Sequence, residues 1–445
     1  MSSAVLLLML LLSVCVLLIL VMKIKLHAFI ALLLASILMG LLTGMDLNQI
    51  IVSIGNGMGS TLGSLAVIIG LGSMFGKMLE ISGGAERLAR TFLGIFGEKK
   101  APYAMLIAGF LVSIPVFFDV GFIILVPLVY ALHKSTKKSI LLFGIPLLAG
   151  LAVTHAFVPP TPGPILVANL VGADLGKVIF YGIICGIPAA IIAGPVWGKF
   201  ISKRIYVKIP DYLEVDEKVI TIKDNELPKF STIFLLVILP IFLILLNTFS
   251  SAYLREGRIK NILQFIGNPI VALIIACIIS FIVLGKFKGL NMNQIQDVCS
   301  SALNSTGIIL LVTGAGGIFK QVLVDSKIGE AVAHIFDTVS ISPIILAFLI
   351  SLIVRVSAGS ATVAMATAGA IVGPLIANAS IEPALIVIAI ASGSTALSHV
   401  NDSGFWLVNR YFGLNEKDTL KSWTVMESLI GVVGLITSLI LSFFV

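Results

Sequence analysis

Charge is the scarcest commodity in this chain: acidic and basic residues together fill 11% of its 445 positions, about half the share usual in soluble domains. A soluble core cannot absorb the 58% that is hydrophobic, and the mean hydropathy of +1.13 makes the chain a polytopic membrane protein. The net charge of +7 is read as topology, because Lys and Arg collect in the cytoplasmic loops of membrane proteins, so it gives no ground for a nucleic-acid partner. Cysteine is sparse too. Cys15, Cys185, Cys277 and Cys299 have neither metal nor redox spacing and read as small apolar fillers. No nucleotide fingerprint is present either. Gly70-Leu71-Gly72-Ser73-Met74-Phe75-Gly76-Lys77-Met78 lacks phosphate-loop spacing and the hydroxyl residue after Lys, and Gly314-Ala315-Gly316-Gly317 is no dinucleotide motif. Close helix packing through small residues accounts for both. Residues 1–22 lack a basic leading region and an Ala-x-Ala-like cleavage site, and Lys23 and Lys25 follow, which suits a retained first span.

What is present in quantity is apolar sequence. The runs 4–22, 28–45, 231–248, 268–285 and 425–445 read as uninterrupted spans, each able to cross about 30 Å of hydrocarbon. Others are broken. In 103–130, the stretch Ser113-Ile114-Pro115-Val116-Phe117-Phe118-Asp119-Val120-Gly121 sets a Pro and an acid mid-segment between two basic loops, which predicts a re-entrant hairpin. The segment after 139 is interrupted by Pro159-Pro160-Thr161-Pro162-Gly163-Pro164. Repeated prolines remove donors and clash with preceding carbonyls, so this cannot be a regular helix.

The chain repeats itself. Gly72, Phe75, Leu79, Ser82, Glu86 and Ala89 match Gly316, Phe319, Leu323, Ser326, Glu330 and Ala333; Gly163, Leu166, Val167 and Gly172 match Gly404, Leu407, Val408 and Gly413. The second match sets the proline-rich break against Val400-Asn401-Asp402-Ser403-Gly404-Phe405. Interrupted segments at equivalent depth in two halves point to a midplane transport site. The expected fold is all-α with two inverted repeats, re-entrant hairpins and broken helices: a first repeat over 1–200, a polar cytoplasmic linker over 201–229 and a second repeat over 230–445. The second half orders its spans as 305–324, a hairpin at 343–376 and a broken span at 383–411. An odd number of crossings in each half inverts them and puts both termini outside.

Ionisable groups deep in spans are costly and are functional candidates by default: here Asp119, His155, Arg355, His399 and Asp402. Arg355 opens the tip of the second hairpin, before Gly359, Ser360 and Thr362, whose backbone amides and hydroxyls can face a cavity. A guanidinium there can grip a carboxylate with two parallel hydrogen bonds, or serve as a structural partner of Asp402 or Glu382. Asp402, held in low dielectric, can load and release a proton, and Asp119 is its rival. His155 and His399 can relay protons or donate to hydroxyls, and Asn401 is a candidate to bind substrate. At the first break Thr154, Thr161 and Gly163 surround carbonyls and amides freed by proline, a set of neutral partners suited to a polyhydroxylated substrate. His399 and Asp402 are two ligands without a third, so no metal site is expected, and Ser398 or Ser403 beside His399 lacks the strand-turn-helix setting of a nucleophile. The chain therefore reads as a transporter and not an enzyme; a channel is the remaining alternative, distinguished by purely downhill flux.

Several stretches together give the chain a family resemblance over nearly its whole length. They are Gly59-Ser60-Thr61-Leu62-Gly63, Phe75-Gly76-Lys77-Met78-Leu79, the proline-rich break after His155, Phe319-Lys320-Gln321-Val322-Leu323-Val324-Asp325-Ser326, Gly359-Ser360-Ala361-Thr362-Val363-Ala364, and Ser398-His399-Val400-Asn401-Asp402-Ser403-Gly404-Phe405-Trp406-Leu407. The chain resembles the bacterial gluconate permease family of proton symporters. That resemblance implies an inner-membrane, multi-pass carrier of inverted-repeat ion-transporter type, taking up gluconate or a related sugar acid with a proton. Ketogluconates, other aldonates and D-serine are the alternative substrates. No cofactor is implied beyond the coupling ion, with sodium left open beside the proton. The expected partners are the sugar acid and the lipid bilayer, with a homo-oligomer left open. The chain departs from the family pattern at Thr161, where His is commoner, and at Asp119, where gluconate carriers often have Glu.

Overall fold

The computed structural model describes residues 3–210, 224–304, 306–326, 342–376, 381–400 and 402–445, all of them helical or in short connections. The first half runs α1 (Ser3–Met22), α2 (Ala28–Leu42), α3 (Leu47–Ser82), α4 (Gly84–Phe96), α5 (Ala101–Val112), α6 (Phe118–Thr136), α7 (Leu141–Phe157), α8 (Pro162–Val171) and α9 (Leu175–Ile201). The second runs α10 (Phe230–Tyr253), α11 (Arg258–Ile266), α12 (Pro269–Lys288), α13 (Met292–Asn304), α14 (Gly307–Asp325), α15 (Pro343–Ala358), α16 (Ala361–Leu375), α17 (Pro383–Thr395), α18 (Ser403–Phe412) and α19 (Glu416–Leu441). Among the described residues, 8 helical segments are long and apolar enough to cross a membrane. The third span, α3, extends for 36 residues and begins where Asp46 caps it, accepting from the Asn48 and Gln49 amides.

The order hairpin, broken helix, closing helix occurs twice. α5 and α6 meet at a tip over 113–117, and α15 and α16 at Gly359 and Ser360; α7 and α8 are one interrupted crossing, as are α17 and α18. Each break follows its residues. At the first, Val158 turns extended and Pro159-Pro160 is cis; Thr161 then stands as N-cap with Pro162 as the first helical residue, where its missing donor goes unneeded. At the second, Ala396 turns extended, Leu397 takes a positive φ of 56°, and Asp402 caps α18 through the Gly404 amide at 3.1 Å. The match of Glu86 and Ala89 to Glu330 and Ala333 lies outside the described residues on its second side.

Glycine decides how closely the arms pack. α5 lies along α7 because a Cβ on Gly109 would overlap the Leu147 carbonyl and one on Gly150 the Leu106 carbonyl and Phe110 amide. Of the two glycine-rich runs that carry no phosphate motif, 314–317 does the same for α14 against α3, where a Cβ on Gly317 would strike Thr61 and one on the facing Gly57 would strike the Ile318 backbone; in the other run a Cβ on Gly76 would overlap the Pro115 carbonyl at the first hairpin tip. Gly150→Leu should therefore force α5 from α7. A clash with backbone cannot be relieved by a rotamer change, so the loss is expected at the upper end of the roughly 1–3 kcal/mol of overpacking. Thermal unfolding of the purified carrier in detergent would register it.

The basic loops gather around the ends of the linker. Arg87 donates to Asp224 Oδ1 at 2.8 Å and to the Pro228 carbonyl at 2.7 Å, and Lys288 reaches the Glu226 carbonyl at 3.5 Å. At its other end, Tyr206 donates to the Lys137 carbonyl at 3.0 Å and Pro210 covers Gly413. Both arms of the first hairpin thus depart from basic loops and converge on an interior tip, the arrangement expected of a re-entrant element. Elsewhere, Lys177 of α9 pairs with Glu382 at the start of α17 at 2.7 Å, so Glu382 is not the partner of Arg355.

Candidate functional site

Four chain interruptions open onto one cavity of about 360 Å³. Phe117, Phe118, Asp119 and Val120 come from the first hairpin tip, His155 and Pro162 from the two sides of the first break, Arg355, Ser360, Ala361 and Thr362 from the second hairpin, and Thr395, Asp402, Ser403 and Gly404 from the second break. Each helix stops there for the local reasons given above, and each stop leaves backbone amides or carbonyls without intrahelical partners. Trp423 and Glu427 of α19 complete the wall.

Among the described residues, Arg355 is the one buried cation of the cavity wall, 3% exposed. It lies in the last turn of α15, where the helix dipole favours positive charge. Nη1 donates to the Gly359 carbonyl at 2.7 Å and Nη2 to Asp402 Oδ2 at 2.5 Å, while Nε meets no partner. Gly359 is in the left-handed region at φ 72°, a conformation open to glycine at no steric cost; this turns its carbonyl back to the guanidinium. Asp402 is well satisfied: besides Arg355 and the Gly404 amide it accepts from the Ser398 hydroxyl. Ser398 in turn accepts from Trp423 Nε1 at 2.8 Å, and its carbonyl accepts from Thr424. The break is therefore strapped to α19.

Among the described residues, three buried side-chain polar atoms of residues that border the cavity have no protein partner: Arg355 Nε, His155 Nδ1 and Glu427 Oε1. Buried polar atoms are almost always paired, so three unpaired ones on residues that border one cavity point to a polar ligand.

Of the residues expected from sequence, Arg355, Ser360, Thr362, His155, Asp119 and Asp402 border the cavity, and Gly359 supports it. The others lie elsewhere. Thr161 spends its hydroxyl on the Val158 carbonyl at 2.8 Å and borders a separate space of about 20 Å³ beside Ser73 and Pro115. Gly163 is a packing position facing Met365 of α16. Thr154 is fully buried behind the wall with its hydroxyl unpartnered. His399 sits half-exposed with Nδ1 2.9 Å from the Leu397 carbonyl. Asn401 lies outside the described residues. Sequence reading missed Trp423, which precedes the run 425–445, and Glu427, because that run was taken as an uninterrupted apolar span although it contains an acid. Among the described residues no group of three or more His, Cys, Asp or Glu side chains is placed to hold a metal ion.

Residues 5–444 match the family model of GntP family permeases. The chain belongs to the GntP permease family. Among curated relatives of this family, a gluconate permease of Pseudomonas aeruginosa is 41% identical over 422 residues, covering 94% of both chains. A high-affinity gluconate transporter of Escherichia coli is 40% identical, covering 97% of this chain and 98% of its own. In fold, this GntP permease superposes on MtrF of Neisseria gonorrhoeae, from a class of antimetabolite efflux pumps, with a TM-score of 0.67 at 16% identity, over 88% of this chain and 83% of that one. It is a multi-pass inner-membrane transporter of a small molecule, and not an enzyme.

Proposed function

We propose that this permease is a proton-coupled symporter that imports gluconate or a closely related sugar acid. The observation that carries the reading is the unpartnered Nε of Arg355, a residue that borders a cavity walled by hydroxyl, amide and imidazole groups. Nε and Nη2 form one edge of a guanidinium, the edge that a carboxylate meets with two parallel hydrogen bonds. Asp402 holds half of that edge. Protonation of Asp402 removes its charge and weakens its hold on Nη2, so the substrate carboxylate can take both donors. Proton and anion then arrive together, which is the coupling. Ser360, Thr362 and His155 are left to meet hydroxyls further along the chain of the substrate, with Asp119 as the second acid able to carry a proton. The relatives in Pseudomonas aeruginosa and Escherichia coli, named for gluconate, favour that substrate among hydroxylated monocarboxylates. The recurrence of hairpin and broken helix in the two halves supports inverted repeats that move past one another to re-expose the cavity.

The test is uptake of labelled gluconate into proteoliposomes under an inward proton gradient, with and without a protonophore and with ketogluconates and D-serine as competitors. Accumulation above the outside concentration that collapses with the protonophore is the expected result. Transport of a competitor in place of gluconate moves the substrate; flux that only equilibrates overturns the coupling.

A further inference from the structure

The closing helix brings to the cavity a carboxyl group for which the reading above has no task. Glu427 is 4% exposed, borders the cavity, and has an Oε1 that no donor meets. Its position is tightly set. The π-helical turn Leu420–Thr424 precedes it, and Trp423, four residues back and so on the same helical face, is fixed by its bond to Ser398. Below it, a Cβ on Gly431 would overlap the Ser392 carbonyl of α17, so α19 is seated without room to turn. The charged and titratable groups around this pocket are Arg355 from α15, Asp402 ahead of α18, Asp119 from α6 and His155 from α7. Glu427 feels both Arg355 and Asp402 electrostatically.

An anion that enters here meets three acidic side chains and one guanidinium. Asp402 has donors from Arg355, Ser398 and Gly404 to support its charge, whereas Glu427, which borders the same cavity, has an oxygen that no donor meets. A buried charge without donors is costly; a protonated carboxyl in the same place offers an O–H to a substrate oxygen or to water. We infer that Glu427 is a second proton-binding residue of the transport cycle, protonated from the outer medium as the anion enters and deprotonated to the inner medium as it leaves. No other bond changes. The inference rests on the coupled-carrier reading and raises the number of protons per substrate above what Asp402 alone supplies.

The test reads stoichiometry, which turnover does not affect. In proteoliposomes clamped at zero membrane potential, the imposed pH gradient at which net gluconate flux reverses is measured for the unaltered carrier, Glu427→Gln and Glu427→Asp. Loss of one coupled proton lowers the gluconate ratio that a given gradient sustains by about tenfold per pH unit. The glutamine variant should show that fall, and the aspartate variant, which keeps a titrating carboxyl, should reverse where the unaltered carrier does. Damage to folding or rate slows flux and leaves the reversal point in place. A glutamine variant that reverses at the original gradient, or an aspartate variant that does not, overturns the inference. An unaltered carrier with no reversal point dependent on pH overturns the coupled-carrier reading instead.

Discussion

Replacing Arg355 with glutamine is expected to weaken gluconate binding by at least about thirtyfold, the lower end of the 2–5 kcal/mol that accompanies removal of one member of a buried charge pair. Two separate losses contribute. The substrate carboxylate loses its cation, and Asp402 loses the Nη2 donor held at 2.5 Å, leaving a buried charge supported by Ser398 and Gly404 alone. The second loss also destabilises the protein, by about 3–5 kcal/mol for a broken buried pair, so a single variant would confuse binding with folding. The double variant Arg355→Gln with Asp402→Asn separates them. Removing both charges spares the uncompensated one, and such exchanges are often neutral for stability; the double variant should unfold near the temperature of the unaltered carrier and still fail to bind. Arg355→Lys gives a third point. It keeps the charge but gives up the planar fork, so folding should survive while affinity falls about tenfold or more, the worth of a charge-assisted hydrogen bond. Binding restored in the double variant would show that Arg355 holds the break in place and does not touch substrate.

Much of this arrangement was legible in the residues. Prolines at 159, 160, 162 and 164 together rule out one continuous helix through that stretch, so the first break could be read directly. The second was found through the repeat, and it explains why Arg355 and Asp402 were chosen: both are ionisable groups in otherwise apolar stretches, and the fold brings them together. What the sequence hid is direction. His399 is three residues from Asp402, but Leu397 and Asp402 bracket a non-helical stretch in which spacing fixes no common face; its ring turns back to the Leu397 carbonyl. Thr161 stands among prolines where a free hydroxyl would bind a ligand, yet the same break creates a free carbonyl at Val158 that claims it. Glu427 had a readable signal. A single acid in an apolar run is a functional candidate on cost alone, but the sequence flanking this one reads evenly as span. Its proximity to Arg355 depends on the π-helical turn and the glycine seat on α17, which no local pattern announces.

The largest functional effect is expected from Asp402→Asn. Asparagine matches the shape of a protonated aspartic acid, and its side-chain oxygen can still accept from the Gly404 amide that caps α18, so the break should persist. What it removes is the ability to change charge. In the coupled cycle Asp402 neutralises Arg355 when the carrier is empty and gives up that contact when proton and substrate bind. With asparagine fixed there, the substrate carboxylate becomes the only mobile counter-ion available to Arg355. The loaded carrier can cross in either direction, but an empty one would carry an unpaired guanidinium through its return step, at a cost of several kcal/mol. Exchange of labelled for unlabelled gluconate should therefore continue at whatever rate the variant supports, while net uptake under a proton gradient, which needs the empty carrier to return, is lost. Uphill accumulation that persists undiminished in this variant would move the coupling to Asp119 and Glu427, and would leave Asp402 as the cap of α18 and a fixed anchor for Arg355.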